Sequence, residues 1–193
     1  MNLDLIIVCL YSYLLGSVPF GLILTKIFLK EDVRNIGSGN IGATNVLRTG
    51  KKSLAGLTLI FDIFKGYLSI YITSNYFSEL IYLAALLCLL GHIFPIWLKF
   101  KGGKGVATYL GIIIALSFKF GIIFAISWLV ILFLFRFSSL ASIVSTLIVF
   151  MSSVIYNDFN LNMCLFIFLL IILYTHRENI LRIKNKTENK IKL

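Results

Sequence analysis

The stretch "VATYLGIIIALSFKFGIIFAISWLVILFLF", Val106 to Phe135, decides the architecture. It is apolar apart from "SFKFG", Ser117–Gly121, with Lys119 at its centre. A helix crosses a hydrocarbon core in about 20 residues. The run is too long for one crossing and short for two. Serine, lysine and glycine together mark a break, so the pattern predicts two short helices with a turn at Ser117–Gly121. Fusing or re-entering this run would leave five crossings. That fold would need compensating changes elsewhere to keep the C-terminal tail inside.

Apolar runs flank the stretch on both sides. Before it come Leu3–Leu29, interrupted by "GSVPFG" at Gly16–Gly21, then Leu54–Thr73 and Leu80–Leu98. After it come Leu140–Tyr156 and Met163–Thr175, separated by a loop at "NDFNLN". The N-terminal run has no basic start and no small-residue cleavage site, so it reads as a first spanning helix rather than a signal peptide. The expectation is an all-α integral membrane protein, a seven-helix bundle formed by residues 1–182, with a basic tail at 183–193. Composition agrees. Of 193 residues 59% are hydrophobic and 13% charged, against about 25% charged in a soluble domain.

Charge orients the bundle. Short cytoplasmic loops are enriched in Lys and Arg. With the N-terminus outside, all 18 basic residues but Lys65 and Lys119 fall in inside segments or at their edges. These include Lys99, Lys101 and Lys104, Arg136, and the tail residues Arg177, Arg182, Lys184, Lys186, Lys190 and Lys192. The net charge of +10 thus follows from topology. Nucleic acid is excluded as a partner, because no basic soluble face exists to hold it. Cys9, Cys88 and Cys164 sit in apolar runs without metal-ligand spacing, and read as small hydrophobes.

Three polar elements then share the inner face. The first is "NIGSGNIGATNVLRTG", Asn35–Gly50. Glycine admits positive φ, so Gly37 and Gly39 let successive N–H groups converge on an anion. Ser38, Asn40, Thr44 and Asn45 add neutral donors, and Arg48 adds a planar fork for phosphate or carboxylate. A flexible connector needs none of these. The second is "KGGKGVAT", Lys101–Thr108. Gly102, Gly103 and Gly105 surround Lys104 at the start of a predicted helix, where free N–H groups and the dipole attract anions. A charged loop that caps a helix explains it equally well. A nucleotide P-loop does not, since Gly105 stands where Ser or Thr would be. The third is "HRENILR", where His176 and Asn179 lie at the inner end of the last run. A helix-capping His is its plain explanation.

Within the runs, Asp62 and Lys65 are spaced i, i+3 and read as a structural ion pair. His92, just before Pro95, reads as a partner for a backbone group that the proline frees. No nucleophile elbow and no catalytic triad is present. Neither His has an acid at the fifth position: Trp97 and Leu181 stand there.

In order and spacing, "GSVPFG", "DVRNIGSGNIGATNVLRTG", "FDIFKG", "GHIFPIWLKFKGGKGVATYLG", "SSLASI" and "HRENILRI" resemble the bacterial acyl-phosphate:glycerol-3-phosphate acyltransferases, the PlsY family. The tail after Arg182 matches poorly and carries no expected role. The resemblance implies transfer of a fatty acyl group from long-chain acyl phosphate to the 1-hydroxyl of sn-glycerol 3-phosphate. Lysophosphatidic acid and phosphate are released, as the first acylation of phospholipid synthesis. It also implies a seven-helix fold in the bacterial cytoplasmic membrane, with the site facing the cytoplasm and membrane lipid around it.

On this resemblance Ser38, Arg48, Lys104 and His176 would be catalytic. Gly37, Gly39, Asn40, Thr44, Asn45, Gly102, Gly103, Gly105 and Asn179 would bind substrate. Asp62, Lys65 and His92 would shape the site. No metal and no cofactor is expected. Acyl phosphate is already activated, so direct attack without an acyl-enzyme suffices. The proton would pass to a substrate phosphate or to His176, the former preferred. A carrier for a phosphorylated solute is the competing class, weakened by the lack of paired broken helices or repeats. A lipid-binding protein would explain the tail but not the motifs.

Overall fold

The computed structural model describes residues 3–191. Met1, Asn2, Lys192 and Leu193 lie outside them, so of the tail lysines counted above Lys192 falls outside the described residues. The described residues contain helices and no strand. They form two compact units, up to Leu116 and from Ser117 onward, where the sequence reads as one domain to residue 182.

The first unit holds α1 (Leu3–Ser17), α2 (Phe20–Leu29), the short α3 (Ala43–Val46), α4 (Lys52–Tyr76), α5 (Ile81–Ile93) and α6 (Val106–Leu116). Pro19 separates α1 from α2 as "GSVPFG" predicts, because it has no N–H for the helical ladder. Backbones pack closely where glycines meet them. A Cβ at Gly16 would strike the Cys88 backbone, and one at Gly91 the backbone of Tyr13 and Ser17, which locks α1 on α5. Gly66 against Thr108 and Gly111 against Ile63 do the same for α4 and α6. Small residues at such contacts supply the van der Waals packing that holds helices together in lipid.

The second unit holds α7 (Phe118–Phe135), α8 (Ser138–Val154), α9 (Phe159–Thr175) and α10 (Arg177–Lys184). α7 leaves Ile122, Ile126, Leu129, Val130, Phe133 and Leu134 exposed, a face suited to lipid. Among the described residues four segments are long and apolar enough to cross a membrane: Leu3–Leu29, Lys52–Tyr76, Ser78–Leu98 and Phe118–Phe135. α9 and α10, bent by 58°, make a fifth if taken as one span. α6 and α8 are apolar but shorter, at 11 and 17 residues.

Two connections are shorter than expected. The turn at Ser117–Gly121 shrinks to Ser117 alone, which is extended at φ −161°. Gly121 already sits in helix and bonds back to Ser117 O at 3.2 Å. Lys119 does not break α7, because its ammonium reaches the Tyr156 hydroxyl and lies 4.8 Å from that ring. The long stem lets the charge leave the apolar surface. The loop at "NDFNLN" is also shorter. Asp158 accepts from Leu161 N at 3.0 Å and caps α9, so helix begins at Phe159.

Candidate functional site

The polar segment after α2 folds onto three apolar side chains. Val33, Ile41 and Val46 are buried at 0–2% exposure with Leu22, Leu54 and Ala55, and Leu98 packs on the same cluster. Burying each such side chain is worth about 1.5–3 kcal/mol, enough to seat an otherwise polar loop. Leu98 precedes the second glycine loop, so both loops attach to one apolar base.

Asn45 organises the first loop. It is 2% exposed. Its Oδ1 accepts from Ser38 N at 3.0 Å and from Ser38 Oγ at 3.2 Å. Its Nδ2 donates to Val33 O, Ile36 O and Asn40 O at 2.7–2.9 Å. The amide expected to meet substrate is thus engaged by the loop's own backbone. Asn40 Oδ1 accepts from Gly42 N at 3.1 Å and makes an Asx turn. Thr44 lies half-buried on α3.

Ser38 and Arg48 are left exposed on this framework. Gly37, at φ +56°, has Arg48 Cδ and Nη1 so close that a Cβ would meet them at 2.6 and 2.8 Å. Only glycine leaves room for the guanidinium to lie there. Gly39, at φ +69°, makes the following bend. The other arginine of the loop is occupied. Arg34 forms a forked pair with Asp32 at 2.6–3.2 Å, and this bonding holds the Asp32 carboxyl at about 2, below its ordinary 3.8. Arg48 has no ion pair among the described residues.

The second loop closes the end of α5. Gly102 N and Gly103 N donate to Ile93 O and His92 O at 2.9 and 3.0 Å. The last carbonyls of α5 are therefore capped by the loop. Phe94 O takes the Tyr13 hydroxyl at 2.7 Å. Gly105 turns the chain at φ +86° into α6. Lys104, half-buried, stands between the two glycines at this helix start.

Asp62 and Lys65 pair at 2.8 Å, as their spacing predicts, and are 2% and 1% exposed. His92 Nδ1 lies 3.7 Å from Asp62 Oδ1.

In the second unit His176 sits at the α9–α10 bend, 2% exposed, with Nδ1 2.8 Å from Ile172 O. A carbonyl accepts only, so Nδ1 donates in this contact. Asn179 is 5% exposed, and its Nδ2 donates to Glu188 Oε1 at 2.6 Å.

Glu188 is the residue that sequence reading missed. It lies in the tail, to which no role was assigned. Its carboxylate also accepts from Ser139 Oγ at 2.8 Å and Arg182 Nε at 2.7 Å. Ile191 N bonds Arg136 O at 2.8 Å, which fastens the tail to the start of α8. The tail thus supplies the acceptor for residues of "SSLASI" and "HRENILR". One acid among many lysines gave no signal of this. Burial opposes its ionisation, but the bonds from Arg182, Asn179 and Ser139 outweigh burial and hold its pKa below the ordinary 4.5. In the window beneath 4.5 the unfolded chain takes up the proton first. The stabilisation is full above that value and is lost as pH falls toward the folded one. Glu188→Ala is expected to cost about 1–3 kcal/mol at neutral pH. Melting temperatures of variant and parent should converge as pH drops through this window.

The sequence description of glycerol-3-phosphate acyltransferases matches residues 6–186. A glycerol-3-phosphate acyltransferase of Pelagibacter ubique (strain HTCC1062) is 53% identical over 99% of this chain and 100% of its own length. One from Mesorhizobium japonicum is 47% identical over 99% and 98%. Two crystal structures of PlsY (YgiH), an integral membrane glycerol 3-phosphate acyltransferase, share 35% identity and cover 98% of this chain and 96% of theirs. The glycerol 3-phosphate form gives a TM-score of 0.93 and the lysophosphatidic acid form 0.90. Matches that run end to end in both sequence and fold make this chain a member of the glycerol-3-phosphate acyltransferase family.

Proposed function

We propose that the chain transfers a fatty acyl group from acyl phosphate to the 1-hydroxyl of sn-glycerol 3-phosphate, releasing lysophosphatidic acid and inorganic phosphate. Family membership supports the acceptor, as do the neighbouring structures with glycerol 3-phosphate and lysophosphatidic acid. One observation carries the chemistry. Asn45 consumes the loop's own backbone groups, while Arg48 is exposed over Gly37 without an acidic partner among the described residues. Such a guanidinium suits a phosphate.

The hydroxyl oxygen attacks the acyl carbon, the bond from that carbon to the phosphate oxygen breaks, and phosphate leaves. The hydroxyl proton passes to a substrate phosphate. Ser38 is a poor nucleophile here, because its hydroxyl donates to an amide oxygen that cannot act as a base. Positioning and charge carry the rate. Ser38, Arg48, Lys104 and His176 are the proposed catalytic residues. The glycines of both loops, Asn40, Thr44 and Asn179 contribute to substrate binding, and Asn45 acts by shaping its loop.

The proposal includes seven membrane crossings by a single functional domain, an outside N-terminus and a site facing the cytoplasm. Short α6 and α8 cross on this reading. The carrier alternative loses ground, since Asp62 and Lys65 are sealed against each other rather than facing a water-filled path.

The test uses purified protein in lipid mesophase, palmitoyl phosphate and glycerol 3-phosphate. Phosphate and lysophosphatidic acid should appear together, and the same protein should give none from acyl thioesters. Product from thioesters alone would overturn the donor. Uptake of glycerol 3-phosphate into vesicles without acylation would overturn the enzyme. A trapped acyl-enzyme would overturn direct attack.

A further inference from the structure

Three motifs of the first unit, "GSVPFG", "FDIFKG" and "GHIFP", lie outside the two polar loops. They converge in one buried chain of contacts. Val18 O, beside Pro19, accepts from Lys65 Nζ at 2.8 Å. Lys65 pairs with Asp62, and Asp62 faces His92 Nδ1. The opposite edge of the imidazole abuts the loop. A Cβ at Gly103 would overlap His92 Nε2, Cε1 and Cδ2 together. His92 is 4% exposed, so the ring is confined between Asp62 and Gly103. Its own carbonyl holds Gly103 N. Gly103 immediately precedes Lys104.

We propose that His92 is a positioning residue for Lys104. Its ring, oriented by the Asp62–Lys65 pair, is the wall against which Gly103 seats, and it thereby fixes the direction in which Lys104 leaves the loop. The Lys65 bond to Val18 ties this wall to the break between α1 and α2. Gly103 is then glycine for a reason separate from anion binding: the ring occupies the space of a side chain.

The proposal rests on the reading that Lys104 meets a phosphate of the substrate, and its test has a part independent of that reading. Amide hydrogen exchange over residues 101–106 is measured without substrate in the full-length protein, alongside kcat and KM for glycerol 3-phosphate. His92→Ala should speed exchange in this segment and raise KM about tenfold with kcat nearly constant. Gly103→Ala, which forces the ring and the loop apart, should raise KM about a hundredfold. The double variant is the discriminating case. Removing the ring makes room for the new methyl, so KM should fall back to the level of His92→Ala alone. A merely structural histidine would instead give a double variant worse than either single one.

His92→Gln, which keeps a polar group toward Asp62, provides the same comparison should His92→Ala fold poorly. Unchanged exchange in His92→Ala, or a double variant at or above the KM of Gly103→Ala, overturns the proposal. Absence of turnover in the parent protein would overturn the acyltransferase reading, and the exchange data would still decide the role of His92.

Discussion

Lys104→Ala lowers kcat/KM for glycerol 3-phosphate by about 10²–10³, or about 3–4 kcal/mol of transition-state stabilisation. This is the expected result in the acyl phosphate assay, in protein shown to be folded. Lys104 is held between Gly103, bonded to His92 O, and Gly105, at φ +86°. It stands where the N–H groups at the start of α6 already favour negative charge. A fixed ammonium there holds a substrate phosphate in the ground state and through the transition state alike, so much of the loss is expected in KM. Lys104→Arg should restore only part of the activity, because a planar fork cannot reproduce a point charge in a space set by glycines. Activity within a factor of about three of the parent in Lys104→Ala would remove the residue from the chemistry.

Asp62→Ala destabilises the first unit by about 3–5 kcal/mol. The pair is sealed, at 2% and 1% exposure, and loss of the carboxylate leaves an ammonium buried without its counter-charge. Lys65 would keep its bond to Val18 O and a ring at 5.7 Å, neither of which neutralises it. Lys65→Met added to Asp62→Ala should recover much of the loss, since an apolar pair of similar volume avoids the desolvation cost. Thermal melts in one detergent give the comparison. A double variant no more stable than Asp62→Ala would show that Val18 needs Lys65 as a donor more than the unit needs charge balance.

The sequence disclosed these features unevenly, for physical reasons. Helix positions were legible because apolar runs of spanning length and proline breaks are local signals. So was the Asp62–Lys65 pair, since charges three apart on one helix face can meet. The inside of the first loop was not legible. Asn45 reads as one more polar donor, and its capture by Val33, Ile36 and Asn40 depends on a bend that only the packing of Val33, Ile41 and Val46 produces. The neighbours of His92 were not legible for a similar reason. Its proximity to Pro95 suggested a local partner, whereas its neighbours come from α4 and from the glycine loop. Glu188 was hidden by composition, as the tail is otherwise basic.

The bond between Ser139 and Glu188 spans 49 residues, and this has a consequence for biosynthesis. The ribosome delivers Ser139, Asn179 and Arg182 before the carboxylate that joins them. Until Glu188 emerges, three donors wait without their acceptor. The second unit can finish only after translation of the tail, whatever the order in which its helices enter the membrane. A nonsense codon shortly before residue 188 would spare every apolar helix, and hence insertion, yet leave a chain for membrane proteases to recognise as incomplete.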